Sequence, residues 1–211
     1  MTKIVKIADT QKPEKKVIKE ICDFLKKGGI IAYPTETCYG LGADAFNEGA
    51  VERIISLKRR EAGKPIAVIS GNRETAINAF KIKSGVVLKL VENFWPGPLT
   101  IVAESSINFA KGIMSKDGMV GIRVSENSFA RAIADEIGGF LTATSANFSL
   151  EKECRSAEEV IEAFKDKIEI VIDGGKSQSK GLSTVIEIRK DGYKILREGL
   201  ISQNEIEKII K

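Results

Sequence analysis

Helical stretches of apolar residues alternate with short apolar runs along almost the whole chain, and glycine or proline stands at many of the junctions. Val17, Ile18, Ile21, Cys22 and Leu25 recur at helical spacing after Pro13, Gly28-Gly29 stops that helix, and Ile30 to Tyr33 follows as a strand. Asn47 can cap a second helix, which turns Val51, Ile54 and Ile55 inward and delivers Lys58 and Arg60 at its end, before a strand from Ile66 to Ser70. Asn72 and Ser84 cap two more helices, the second ended by Phe94-Trp95-Pro96-Gly97-Pro98, and Leu99 to Ala103 resumes as a strand. Met119 to Val124 reads as a strand, Phe129 to Ile137 as a helix closed by Gly138-Gly139, and Phe140 to Thr144 as another strand. Ser156 to Glu159 is a capping box, and the helix it opens leads to a strand, Ile168 to Ile172, ending at Asp173-Gly174-Gly175. Asp191-Gly192 signals a hairpin between Ser183 to Ile188 and Tyr193 to Leu196, and Ser202 to Glu205 is a second capping box. Such alternation predicts an α/β fold with one mixed sheet of about seven strands, flanked by helices, in a single domain over residues 1–211.

With 43% hydrophobic residues in 211, the chain can build a sizeable core. Its net charge is only +4, spread along the sequence, so bulk electrostatics do not compel a nucleic-acid partner. The N-terminus lacks a leader pattern and no apolar segment approaches bilayer length, which predicts a cytoplasmic protein without membrane contact. Cys22, Cys38 and Cys154 are too far apart for a disulfide framework or zinc knuckle; Cys22 belongs to the core, and Cys38 is either packing or a nucleophile. Histidine is absent, which excludes Ser-His-Asp, Cys-His and H-E-x-x-H chemistry.

The chemistry-bearing residues gather at strand ends. Tyr33-Pro34-Thr35-Glu36-Thr37-Cys38-Tyr39-Gly40-Leu41-Gly42 supplies hydroxyls and a tight turn, and the crossover helix brings Lys58, Arg59, Arg60 and Lys64. Alone, those cations fit a solvated helix end equally well. Thr144 to Asn147, Gly181 to Thr184 and Arg197 to Gly199 add small polar groups and an arginine at other strand ends, as a site between sheet and loops needs. Arg123, inside a strand, requires an anion: a ligand carboxylate or a structural glutamate. Gly40-Leu41-Gly42 lacks the third small residue of a dinucleotide fingerprint, and no Walker motif is present. Phe94 to Pro98 is either a base-stacking platform or a rigid turn on the core. The acidic residues show no spacing for a metal cage. Three irregular stretches, Glu104 to Gly118, Asn147 to Arg155 and Gly175 to Gly181 with Lys176 and Lys180, are candidate functional or mobile loops.

YPTETCYGLG, Lys58 to Arg60 with Lys64-Pro65, FWPGPLT, GIRV, Ser145 to Asn147, Ser183-Thr184-Val185 and Arg197-Glu198-Gly199 together resemble the YrdC family, in order and over nearly the whole chain. The resemblance implies an open, strongly twisted mixed sheet with a concave central cavity. It also implies threonylcarbamoyl-AMP synthase activity, a nucleotidyl transfer in which L-threonine, bicarbonate or CO2, and ATP with Mg2+ give threonylcarbamoyl-adenylate and pyrophosphate. The product would serve a threonylcarbamoyl transferase complex acting on the adenosine beside the anticodon of ANN-decoding tRNAs. By that resemblance Thr37, Arg123, Ala143 and Ser183 would hold threonine. Lys58, Arg60, Lys64, Met119, Ser145, Asn147 and Arg197 would face ATP, with Arg60, Lys58 and Arg197 the catalytic cations and no protein-held metal. The chain departs from many relatives at Glu61, at Met119 (which could offer its backbone but no hydroxyl) and at Leu150, and its length matches the short, single-domain form. The rival expectations are an RNA-binding module contacting tRNA or double-stranded RNA without catalysis, and a carbamoyl-handling module like that of hydrogenase maturation proteins.

Overall fold

Asn47, Asn72, Ser84, Asn127, Ser156 and Ser202 each accept the backbone N–H three residues on, and each opens a helix. The Ser202–Glu205 box is reciprocal as expected. The Ser156 box is only half formed, because the Glu159 carboxylate takes the N–H of Arg155 (2.6 Å) rather than that of Ser156. These observations come from a computed structural model that describes residues 1–61, 63–149, 151–179 and 181–211; Leu150 and Lys180, singled out in the sequence, lie outside the described residues.

In chain order the elements are β1 (Lys3–Lys6), α1 (Lys15–Lys26), β2 (Ile31–Tyr33), β3 (Gly40–Gly42), α2 (Glu48–Leu57), β4 (Val68–Ser70), α3 (Arg73–Asn78), α4 (Gly85–Phe94), β5 (Leu99–Glu104) and β6 (Met119–Arg123). They continue with α5 (Ser128–Glu136), β7 (Phe140–Thr142), β8 (Thr144–Ser145), α6 (Ala157–Phe164), β9 (Ile170–Asp173), β10 (Thr184–Arg189), β11 (Gly192–Arg197) and α7 (Gln203–Ile210). Among the described residues no helix is long and apolar enough to cross a membrane.

The mixed α/β class is as expected, but the strands form a five-stranded sheet, β1-β9-β2-β3-β8, and a six-stranded sheet, β11-β10-β5-β6-β4-β7, instead of one sheet of about seven strands. Two causes account for the difference. Strands such as β1, a largely exposed Lys-Ile-Val-Lys segment parallel to β9, and the two-residue β8 carry no readable alternation. The run expected as one strand, Phe140 to Thr144, instead changes sheets at Ala143. Thr142 pairs with Val68 in the larger sheet, Ala143 donates to the Ala67 carbonyl (2.7 Å), and Thr144 pairs with Leu41 in the smaller one. The hairpin joining β10 to β11 forms, with its turn at Lys190–Asp191, one residue earlier than expected, and Gly192 opposite Arg189.

The apolar face of α1 (Ile18, Ile21, Cys22, Leu25) and that of α5 (Phe129, Ile133) cover Ile31, Tyr33, Ile69 and Leu141 on one side. Burial of each large aliphatic side chain contributes about 1.5–3 kcal/mol. A larger core on the other side takes in Ile54, Val87, Leu90, Trp95, Ile122 and Phe164. Polar strand-end groups left between the two sheets line a cavity.

Candidate active site

A cavity of about 450 Å³ opens at the junction of the sheets, and an adjoining pocket of about 160 Å³ shares Arg60 and Ser145 with it. Thr37, Arg60, Met119, Arg123, Ala143, Ser145, Ser183 and Arg197 line the cavity, while Lys58, Lys64 and Asn147 line the pocket. The residues expected to hold threonine or to face ATP therefore all line one or the other of these two adjoining spaces.

Thr35 organises the first wall. Its hydroxyl donates to the Cys38 carbonyl (2.7 Å) and accepts the N–H groups of Thr37 (3.1 Å) and Cys38 (3.3 Å), the hydroxyl-centred turn that a T-x-T-C run favours. The turn presents Thr37 to Arg123, whose Nη1 donates to Thr37 Oγ1 at 3.3 Å and to Glu36 Oε1 at 2.8 Å. Ser125 donates to the other Glu36 oxygen. The anion left open for Arg123 is thus Glu36, and both side chains are nearly buried, at 8% and 11% exposure. Among the described residues no hydrogen-bond partner engages the other guanidinium nitrogens of Arg123, which lines the cavity.

Arg197 enters from β11. It donates through Nε (3.1 Å) and Nη2 (2.8 Å) to the Ser183 carbonyl, and through Nη2 to Ser183 Oγ (3.0 Å), which lies 3.0 Å from Thr100 Oγ1. Burial, and then the charge of Arg123, lower the Arg197 pKa from its ordinary value. Two guanidinium groups thus share a cavity in which Glu36 neutralises one of them, an arrangement suited to an anionic ligand.

The second wall differs from expectation. Lys58, at the C-cap of α2, is 2% exposed, and its ammonium donates to Asn147 O (2.8 Å), Asn147 Oδ1 (2.9 Å) and the Ser145 carbonyl. An ammonium has only three donors. Lys58 therefore holds the 145–147 loop instead of offering a free cation, which removes it as a direct phosphate contact and also excludes the solvated-helix-end explanation for it. Burial, and secondarily Arg60, bring its pKa down to about 8. Arg60 is clamped by the carbonyls of Lys64 and Pro65, both at 2.9 Å, and burial lowers its pKa. Lys64 is more than half exposed and pairs with Glu61 at 2.8 Å, so the unusual Glu61 supplies it with a local counterion.

Met119 lines the cavity, but the backbone it could offer is already engaged: its N–H donates to Ser115 Oγ (3.1 Å) and its carbonyl accepts the Ser115 N–H (2.9 Å). Trp95 is buried, with its indole N–H on the Leu99 carbonyl (2.6 Å), so the Phe94 to Pro98 cluster is the rigid turn and not a stacking platform. In β3, a Cβ on Gly42 would meet the Tyr33 ring at 2.9 Å, so its glycine serves aromatic packing and not a phosphate cradle. Burial raises the Cys38 pKa, keeping it a thiol and opposing a nucleophilic role. The 174–179 segment is docked: Tyr39 Oη donates to the Gly175 carbonyl and Ser177 Oγ to the Thr37 carbonyl, each at 2.8 Å. Glu36, Thr100, Ser125 and Ser177 were not singled out as site residues. A lone Ser, Thr or Glu in a loop, or at the start of a strand as Thr100 is, carries no signal until the fold supplies its partner.

The model of the Sua5/YciO/YrdC family, described as "Telomere recombination", matches residues 23–199. The chain belongs to this family. A Pyrococcus abyssi relative named threonylcarbamoyl-AMP synthase is 36% identical over 194 residues, 92% of this chain and 57% of that protein. This chain therefore spans little more than half of that relative. A Vibrio vulnificus family member of the same name is 30% identical over 184 residues, 86% of this chain and 98% of that protein. The crystal structure of P. abyssi Sua5 complexed with L-threonine superposes with a TM-score of 0.90 at 33% identity, covering 100% of this chain and 61% of that one.

Proposed function

We propose that this protein is a threonylcarbamoyl-AMP synthase, a nucleotidyltransferase that condenses L-threonine, bicarbonate or CO2, and ATP. The observation that carries this reading is the continuity of two unlike regions: an arginine and hydroxyl wall suited to an amino-acid carboxylate, and a pocket with Arg60 and Lys64 beside Ser145 and Asn147. The names of the relatives and the threonine-bound neighbour support it.

In this reading Arg123, Thr37 and Ser183 hold threonine, with the backbone near Ala143 completing the wall. Arg60, Lys64 and Arg197, with Ser145 and Asn147, face the nucleotide, and the Met119 side chain lies against it. The threonine amine attacks the carbon of CO2 and loses a proton, giving a carbamate. A carbamate oxygen then bonds to the α-phosphorus of ATP as the bond to the pyrophosphate oxygen breaks. No histidine is present, so rate enhancement rests on alignment and on cations facing the developing phosphate charge. Among the described residues no group of three acidic, histidine or cysteine side chains could hold a metal. In this reading Mg2+ enters as part of the MgATP substrate. The adenylate would pass to a transferase that modifies tRNA.

Pyrophosphate release from ATP should fall to background when threonine or bicarbonate is omitted; release that is indifferent to threonine would refute the assignment. In the same assay Cys38→Ala should keep near wild-type turnover, since no step uses the thiol, and a loss of activity without a loss of folding would reinstate it as a participant.

A further inference from the structure

Helix α2 ends in a Schellman motif: the Arg60 N–H bonds to the Ile55 carbonyl and the Arg59 N–H to the Ser56 carbonyl, each at 3.1 Å. The residue at the left-handed position of this motif is normally glycine. Here it is Arg59, at φ +51°. A side chain that the backbone disfavours raises the question of what the side chain does.

The Arg59 guanidinium carbon sits 5.0 Å from the centroid of the Phe148 ring, and Lys167 Nζ lies 5.9 Å from the same centroid. Phe148 directly follows Asn147, and its other support is Phe164, 4.9 Å away. One residue later the Ser149 N–H donates to the Lys58 carbonyl (3.0 Å). The 145–149 loop is therefore held to the end of α2 from two sides, by the Lys58 ammonium inside and by the Arg59 guanidinium outside.

We propose that Arg59 is a positioning residue for the nucleotide, acting through Phe148 to fix the loop that carries Ser145 and Asn147. The inference rests on the assignment of that loop to ATP. With the guanidinium absent, the loop spends part of its time displaced, and apparent ATP affinity falls with the fraction correctly placed.

Backbone and side chain predict opposite signs for one substitution, which gives the test. Arg59→Gly puts the preferred residue at the left-handed position, so the variant should unfold at or above the wild-type temperature. Calorimetric titration of the full chain with ATP should nevertheless show binding weakened about two- to fivefold, the range of an exposed cation–π contact. Threonine binding should not change. Arg59→Lys, which keeps a cation, should recover part of the loss, and Arg59→Gly combined with Phe148→Leu should be no weaker than the worse single variant. Wild-type ATP affinity in Arg59→Gly, or equal weakening for threonine and ATP, overturns the proposal alone. A wild-type chain that binds no ATP overturns the nucleotide assignment beneath it.

Discussion

Arg123→Ala is expected to weaken L-threonine binding by about ten- to a hundredfold, since charge-assisted hydrogen bonds to a carboxylate contribute about 1.5–3 kcal/mol. The same variant should lose about 3–5 kcal/mol of stability, because truncating one partner of a buried pair leaves the other without compensation. Glu36 would keep Ser125 as its donor but lose its cation, with only 11% of its side chain exposed. Stability alone would not show that Arg123 meets a ligand. Glu36→Gln separates the two roles: it breaks the same pair and should also destabilise, but it leaves the guanidinium without its competing carboxylate. Threonine affinity should then hold or rise. Calorimetry on both variants, with thermal unfolding alongside, decides the matter. If both weaken threonine alike, the pair serves only to brace the Thr35–Cys38 turn against β6.

Much of this site was readable before any coordinates because its cations and hydroxyls stand at strand ends, where helix-strand alternation brings separated segments together. The contrast between Arg123 and Lys58 shows where that reading stops. Arg123 was marked by its place inside an apolar strand, which demands an anion, yet nothing in the residue order distinguishes Glu36 from the other acids as that anion. Its selection depends on the turn around Thr35, whose hydroxyl donates to one carbonyl and accepts two backbone N–H groups. Lys58 looked like its neighbours Arg59, Arg60 and Lys64, but the end of α2 sends consecutive cations in different directions. Lys58 points into the loop after β8, Arg59 onto an aromatic ring, and Arg60 back onto the carbonyls of Lys64 and Pro65. The division into two sheets was hidden for a similar reason. Phe140 to Thr144 contains no turn residue to mark a break, and the change of partner at Ala143 comes from tertiary hydrogen bonds that no periodicity records.

The buried ammonium of Lys58 also ties the site to pH. Its ordinary value of 10.5 falls to about 8 on burial beside Arg60. Near neutrality it is protonated and serves all three acceptors; as pH rises through 8 it becomes an amine with two N–H donors, and one of its three bonds to the 145–147 loop is lost. The rate at limiting ATP should therefore fall with an apparent pKa near 8. Stability moves the other way. Between about 8 and 10.5 the unfolded chain still binds this proton and the folded chain does not, so the Lys58 contribution rises with pH across that window. The buried cysteines, whose values are raised, oppose this trend in the whole protein, which makes the wild-type minus Lys58→Met difference the quantity to measure. Lys58→Met should lower kcat/KM for ATP by about ten- to a hundredfold, as the buried Asn147 carbonyl loses its donor at about 1–3 kcal/mol and the loop loses its tie to α2, although the Ser145 carbonyl keeps the Asn147 N–H and Asn147 Oδ1 keeps the Ser145 hydroxyl. Lys58→Arg keeps a cation that does not titrate, so whatever activity it retains should lack the limb near 8 while keeping any limb that belongs to threonine or bicarbonate. Persistence of that limb in Lys58→Arg would assign the titration to the substrates and leave Lys58 as a purely structural donor.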